Sequence, residues 1–322
     1  MVFPCTTTLV CLFIVLLCFL VGPYLIPISP LKDVVPPAEL AEADSQFATI
    51  DDVTVHYKTA GNGNEVLILL HGFGASTFTW HRVLSPLAQN YSVFAYDRTG
   101  FGYSSRPVSE EWGNKNPYSP LSQVEQLITL MDSLGIEEAV LVGSSAGGIT
   151  AALTTVYYPE RVKALVLVAA AIFQGGPPRW LRPALRIPQV KRLGFLAMRY
   201  YYTYFFDEIH KRAWHDPSRR TSEIRDGYAK PLKAENWDRA LWEYVCAYEP
   251  LNLGNRLNEI ERPVLIITGD DDHIVPLRGS KRIADQITHA DLVIMPDTGH
   301  LPHEENPELF LSIVNTFLQK NL

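Results

Sequence analysis

The sequence predicts an α/β fold, in which helices cover both faces of a mostly parallel, twisted sheet. Three observations lead to this prediction. Short apolar runs alternate with helical patterns, a Gly-x-Ser-x-Gly sequence follows one run, and an aspartate and a histidine follow two others. Continuous apolar runs are typical of parallel strands buried on both faces. In open parallel sheets, functional side chains collect beyond the carboxyl ends of the strands.

Five apolar runs predict the central strands: residues 66–70, 139–142, 164–168, 264–268 and 292–295. Each is short, rich in Val, Ile and Leu, and bounded by Gly, Pro, Asp or Ser, as buried strands are. A helical pattern follows the second run and ends near a proline, so the chain there reads strand, turn, helix.

The turn between that strand and helix is the sequence Gly-Ser-Ser-Ala-Gly at residues 143–147. Small residues on both sides of Ser145 suit a sharp turn in which larger side chains would collide. Such a turn exposes the serine hydroxyl at the start of a helix, whose dipole favours developing negative charge. Ser145 is therefore the candidate nucleophile.

A serine hydroxyl needs a base to remove its proton and a third group to orient that base. Asp270, Asp271 and Asp272 follow the strand at 264–268, and His300 follows the strand at 292–295. Both loops lie at the strand ends where the serine is expected, so a Ser, Asp, His order along the chain is predicted.

Five motifs in this order carry a family resemblance. They are His-Gly-Phe-Gly at 71–74, Asp-Arg-Thr-Gly-Phe-Gly-Tyr-Ser at 97–104, the turn at 143–147, Gly-Asp-Asp-Asp-His-Ile-Val-Pro at 269–276 and Gly-His through Glu-Asn-Pro at 299–307. Over about residues 47–317 the chain resembles the α/β-hydrolase superfamily, in its capped branch with epoxide hydrolases, haloperoxidases, carbon–carbon bond hydrolases and esterases.

The resemblance implies an α/β-hydrolase fold with an inserted helical cap and assigns the site. Ser145 would be the nucleophile, His300 the general base and Asp272 the acid, chosen over its two neighbours by the family's spacing. The oxyanion hole would use the backbone N–H groups of Phe73 and Ala146. Neither a cofactor nor a metal is expected.

One departure from the family bears on the reaction. Epoxide hydrolases of this branch carry an aspartate nucleophile, whereas this chain has Ser145, which favours acyl chemistry. The sequence thus predicts a membrane-associated serine hydrolase that cleaves a lipophilic ester or related acyl bond. Acyl transfer, carbon–carbon bond hydrolysis, and a ligand-binding receptor or scaffold with little turnover remain as alternatives.

The predicted organisation has five parts: a membrane segment at 1–31, a tether at 32–46, core segments at 47–172 and 259–322, and a helical cap at 173–258. The first 31 residues contain no charged side chain. A bilayer core requires about 20 such residues, which predicts a single-pass N-terminal anchor. A cleaved signal peptide, and with it a secreted or lumenal protein, is the alternative.

The cap should select the substrate, and its many aromatic residues predict an apolar pocket over Ser145. Arg182, Arg186 and Arg192 alternate with apolar residues there, so the cap is also a candidate contact for anionic lipid headgroups. A solvated pair of cap helices is the alternative. The whole chain has a net charge of −7, which makes nucleic acid an unsuitable partner.

Overall fold

A computed structural model describes residues 5–50, 52–108, 112, 115–174, 176–178, 180–249 and 251–322. Residues 1–4 of the predicted membrane segment lie outside this part. Eight strands of the described chain form one sheet, in the order β1-β2-β4-β3-β5-β6-β7-β8. Their bounds are β1 Gln46–Ile50, β2 Val53–Ala60, β3 Val66–Leu70, β4 Ser92–Tyr96, β5 Ala139–Ser144, β6 Val162–Val168, β7 Val264–Gly269 and β8 Asp291–Met295.

The sheet is parallel from β4 to β8, whereas β1 and β2 run antiparallel at one edge. The register of the strands aligns the carboxyl ends of β3, β5 and β6: Leu70 lies opposite Gly143, and Ser144 lies opposite Val168. The loops that follow β3, β5 and β6 therefore start at one level. The predicted α/β fold with a mostly parallel sheet is confirmed.

Alternation along the strands fills two cores, one on each face of the sheet. In β5, Ala139 and Leu141 face one core, and Val140 and Val142 face the other. All four are buried. A strand covered on both faces requires an unbroken apolar run, and this explains why the central strands were readable from the sequence.

Helices cover both faces of the sheet and form the cap. Their bounds are α1 Cys5–Leu25, α2 Leu84–Leu87, α3 Pro120–Ser133, α4 Ala146–Tyr157, α5 Arg182–Leu185, α6 Pro188–Lys211, α7 Ser222–Ala229, α8 Trp237–Cys246, α9 Leu277–Gln286, α10 Pro302–Glu305 and α11 Pro307–Asn321. The two core clusters show that α3, α4 and α9 pack on one face, and α2 and α11 on the other. Between β6 and β7 lie α5 to α8, the helices of the cap.

Helix α1 is long and apolar enough to cross a membrane, with a mean hydropathy of 2.6 over Thr7–Leu25, and it is almost wholly exposed. Its end contacts the cap helix α6. Arg192 donates from Nε to the Pro23 carbonyl (2.7 Å) and from Nη2 to the Ile26 carbonyl (2.8 Å). The last carbonyls of a helix have no partner within it, so these bonds cap α1. One of the arginines predicted to face lipid is thus engaged by the chain itself.

The segment 32–46, predicted as a tether, is held against the cap. Val35 N–H donates to Lys233 O (2.9 Å), and Glu235 N–H donates to Val35 O (2.9 Å). Glu42 pairs with both Lys58 and Lys230. The segment therefore joins the N-terminal helix to the core along the cap surface.

Candidate active site

The turn between β5 and α4 holds Ser145 in a strained backbone conformation, with φ 52° and ψ −118°. A residue with a Cβ rarely adopts positive φ, and the cost is about 1–3 kcal/mol. Its peptide groups are tied on both sides: Ser145 N–H donates to Val168 O (2.9 Å), and Ser145 O accepts from Gly148 N–H (3.1 Å) and Ala171 N–H (3.0 Å). Hydrogen bonds to the end of β6, to the segment that follows it and to α4 thus offset the cost of the strained conformation.

Two glycines allow this turn to pack against the sheet. A Cβ on Gly147 would lie 2.3 Å from the carbonyl oxygen of Leu70, and one on Gly143 would lie 2.6 Å from Cα of Gly148. Neither contact involves a side chain that could move away, so any larger residue would displace backbone. This is the physical basis of the small residues on which the sequence prediction of the turn depended.

The structure brings Asp272 and His300 together. His300 Nδ1 lies 2.8 Å from Asp272 Oδ2, and both residues are buried. The other carboxylate oxygen, Oδ1, accepts from the backbone N–H groups of Ile274 and Val275, each at 2.8 Å. Three hydrogen bonds therefore fix the carboxylate, and the carboxylate fixes the imidazole.

The two neighbouring aspartates have other partners. Asp271 bonds to Nδ1 of His215 (2.8 Å), and Asp270 accepts weakly from Thr298 N–H (3.3 Å). Asp270 is exposed, and the Asp271 side chain is 39% exposed. Both contribute to the conformation of the loop rather than to contacts with His300.

Ser145 and His300 line the same cavity. Within the part of the chain that the structure describes, no hydrogen bond joins Ser145 Oγ to the imidazole of His300. Such a bond is often long in a ligand-free enzyme and shortens in the complex with substrate. The structure therefore places nucleophile and base in one cavity, and the bond between them stays a prediction.

The backbone N–H groups of Phe73 and Ala146 are the predicted oxyanion donors. Phe73 lines the cavity, and Ala146 directly follows Ser145 at the start of α4. Among the described residues, neither N–H has a hydrogen-bond acceptor. Unpaired donors beside a nucleophile are available to an oxyanion, which is the property that this role requires.

His71 holds the loop that carries Phe73. Its Nε2 accepts from Arg98 N–H (3.0 Å), so the proton is on Nδ1, which donates to Gly72 O (2.7 Å). Burial, together with the charge of Arg98, lowers the pKa of His71 to about 3. The ring is therefore neutral and holds the loop in place. From the sequence, His71 was identified only as part of the motif at 71–74 and was assigned no role.

Glu305 connects the His300 loop to the cap. Its Oε1 accepts from Gly299 N–H and its Oε2 from His215 N–H, both at 2.8 Å. Burial raises the pKa of this carboxyl. The sequence showed Glu305 as a motif residue without a role, and the structure supplies one: it positions the residue before His300.

The cavity lies between cap and core and has a volume of about 380 Å³, within the roughly 300–1,000 Å³ usual for small-molecule sites. Helix α6 contributes a large part of the wall. None of its described lining residues is Lys, Arg, Asp or Glu. They are Gly72, Phe73, Gly74, Ala75, Thr79, Ser144, Ser145, Met198, Tyr201, Tyr202, Phe206, Ile209, His210, Ala213, Tyr228, Val245, Ile274, His300 and Leu301.

Comparison with known proteins identifies the family of this chain. The sequence profile of the alpha/beta hydrolase fold matches residues 65–307. The chain belongs to this family. A 2-hydroxy-6-oxononadienedioate/2-hydroxy-6-oxononatrienedioate hydrolase of Burkholderia vietnamiensis is 30% identical over 84% of this chain and 92% of its own length. The family resemblance and the hydrolase class that the sequence predicted are thereby confirmed.

Two solved structures extend the comparison. A membrane phospholipase A, described as a bacterial virulence factor, has a TM-score of 0.66 and 25% identity, and the match covers 88% of each chain. A meta-cleavage product hydrolase of Pseudomonas fluorescens IP01 has a TM-score of 0.66 and 26% identity, with coverage of 85% of this chain and 97% of its own. The hydrolases of similar structure thus include enzymes that are named for different reactions.

Proposed function

We propose that this hydrolase cleaves esters of uncharged, lipophilic acyl groups at the membrane. The observation that carries the proposal is the cavity: Ser145, His300 and Phe73 line a mostly apolar space without a charged lining residue among those described. The backbone N–H of Phe73 has no acceptor among the described residues. An apolar wall favours an acyl chain, at about 0.8 kcal/mol for each methylene buried.

The geometry supports a two-step acyl transfer to water. Ser145 Oγ attacks the ester carbonyl carbon while Nε2 of His300 takes its proton, and the N–H groups of Phe73 and Ala146 receive the oxyanion. The C–O bond to the alcohol then breaks, and His300 returns the proton to the leaving oxygen. Water, deprotonated by His300, attacks the acyl-enzyme, and the acid leaves as Ser145 regains its proton.

Carbon–carbon bond hydrolysis is the second candidate, because several curated relatives are named for it. The name of the B. vietnamiensis relative denotes a dicarboxylate substrate. Two carboxylates in this cavity would lack a cationic partner among its described lining residues, and burying an unpaired charge is costly. A neutral ester avoids this cost, and for this reason we propose ester hydrolysis as the first candidate.

Kinetics with two substrate classes would separate these reactions. We expect kcat/KM for p-nitrophenyl octanoate to exceed that for p-nitrophenyl acetate at least about tenfold, because the longer chain buries more apolar surface. A 2-hydroxy-6-oxo-dienedioate should be turned over about 100-fold less well than the octanoate. The reverse order, with the dicarboxylate preferred, would make carbon–carbon hydrolysis the function of this site.

Association with the membrane is part of the proposal and is supported by helix α1. The full chain should stay with membranes after a carbonate wash, because about 20 uncharged residues bury far more apolar surface than a peripheral contact does. Deletion of residues 1–21 or of residues 1–31 should release the enzyme equally. Only the longer deletion removes Pro23, Ile26 and Ser29, whose carbonyls accept from Arg192 and Arg199, so it alone should lower Tm.

The fraction in the carbonate pellet and the thermal unfolding of the two deletion variants would check this prediction. A mature protein that begins after residue 22 and is recovered from the medium would replace the anchor with a signal peptide. Arg186 is exposed, and its side chain has no hydrogen bond or ion pair among the described residues, so it is the better choice for testing headgroup contact. Arg186→Glu should reduce binding to anionic vesicles and spare binding to neutral ones.

A further inference from the structure

The wall of the cavity contains a histidine that the proposed mechanism does not use. His210 lies near the end of α6 and lines the cavity together with Ser145 and His300. Only 8% of the residue is exposed. Neither Nδ1 nor Nε2 has a hydrogen-bond partner among the described residues. A buried polar atom without a partner is costly, so this position calls for an explanation.

Packing explains where the ring lies but not why it is polar. His210 stacks on Phe206, with ring centroids 5.8 Å apart and an interplanar angle of 5°, and its ring lies 4.2 Å from that of Tyr228. An apolar aromatic residue could make both contacts. Burial, and to a smaller extent the charge of Arg220, lowers the pKa of His210 to about 4. The neutral ring offers one N–H donor and one nitrogen acceptor.

The two hydroxyl groups that line the cavity wall near His210, those of Thr79 and Tyr228, already have hydrogen-bond partners. Thr79 Oγ1 bonds to Tyr228 OH (2.6 Å) and to His303 Nε2 (2.9 Å), and Tyr228 OH donates to Glu304 Oε1 (2.6 Å). Thr79 and Tyr228 also line the cavity. This hydrogen-bonded chain fixes the wall around His210. His303 Nδ1 and Glu304 Oε2 also lack a partner among the described residues, but of these three residues only His210 lines the cavity.

We propose that His210 binds a neutral oxygen function of the substrate, a ketone or hydroxyl on the acyl chain at a distance from the ester. The class of substrate rests on the proposed ester hydrolysis, and the inference adds a polar group to the lipophilic chain. A carboxylate is disfavoured, since no described lining residue carries a positive charge to pair with it. His210 would then determine specificity rather than take part in the reaction.

A positional series of p-nitrophenyl oxooctanoates, compared with plain p-nitrophenyl octanoate, tests the proposal. In the wild-type enzyme we expect kcat/KM for the best-placed ketone to exceed that for octanoate about tenfold, as one net hydrogen bond would give. In His210→Phe, which keeps the aromatic shape, that ratio should fall to about one. Met198→Leu, a change on the same helix and the same cavity wall, should keep the preference.

The outcomes separate this inference from the proposed function. Equal kcat/KM for plain and oxo esters at every position in the wild type, or a preference that survives in His210→Phe, would overturn the role of His210. If no ester is hydrolysed, the proposed function fails. The role of His210 is then tested separately by titrating Ser145→Ala with the methyl esters of octanoate and of the oxooctanoates. A tenfold tighter Kd for one oxo ester, lost when His210→Phe is added, supports the role of His210. Equal Kd values for the plain and oxo esters refute it.

Discussion

Replacement of Ser145 by alanine is expected to abolish hydrolysis and labelling by a fluorophosphonate probe. The variant loses the atom that forms the acyl-enzyme, and a loss of about 10⁶-fold in kcat is usual for a serine nucleophile. The fold should be retained. Ser145 Oγ makes no hydrogen bond within the described chain, and alanine keeps the Cβ that the strained turn already accommodates. Hydrolysis of p-nitrophenyl octanoate, probe labelling and thermal unfolding together check the prediction.

The adjacent serine provides a matched control. Ser144 is the last residue of β5 and is 2% exposed. Both serines line the cavity, but Ser145 is half-buried at the corner of the turn whereas Ser144 is buried at the end of the strand, so Ser144→Ala should still be labelled. Labelling that persists in Ser145→Ala and disappears in Ser144→Ala would show that Ser144, and not Ser145, is the nucleophile. Unchanged hydrolysis in Ser145→Ala would remove the serine mechanism altogether.

The central sheet was predictable because its burial on two faces leaves a strong trace in the sequence. The run at 66–70 coincides with β3, and the run at 264–268 differs from β7 by one residue. The run at 292–295 also differs from β8 by one residue, although β8 lies at the sheet edge and only its last residue, Met295, is buried. The turn at 143–147 was predictable for a related reason: backbone crowding at Gly143 and Gly147 allows no larger residue there. In both cases a local pattern carries the constraint.

Features that depend on distant contacts were not predictable. Strand β1 lies at one edge of the sheet with β2 beside it, and both are only partly buried, so they lack a continuous apolar run. Nothing near Arg192 in the sequence indicates the carbonyls of Pro23 and Ile26, which lie more than 160 positions away. His210 stands within an aromatic stretch and reads as packing. Its two unpartnered nitrogens become visible only when the cap lies over the core.

Replacement of Asp272 by asparagine is expected to lower kcat by about 10⁴-fold, the loss known for a triad whose histidine is held in the wrong tautomer. The structure gives the reason. Because Oδ1 accepts from Ile274 N–H and Val275 N–H, the amide oxygen of asparagine must take that place. The amide NH₂ then faces Nδ1 of His300, so Nδ1 becomes the acceptor and the proton moves to Nε2. An Nε2–H imidazole cannot take the proton of Ser145.

Asp271→Asn is the matched control, since Asp271 lies in the same loop and is bonded to His215 instead of His300. We expect it to change kcat less than about threefold, as substitutions of exposed loop charges with weak pairs do. The Ser145 hydroxyl is still present in both variants, so slow labelling of Asp272→Asn beside normal labelling of Asp271→Asn would identify the fault as one of activation. If Asp271→Asn or Asp270→Asn were the crippling change, the acid would have to be reassigned. His300 would then need to leave Asp272 on substrate binding, against a buried bond of 2.8 Å.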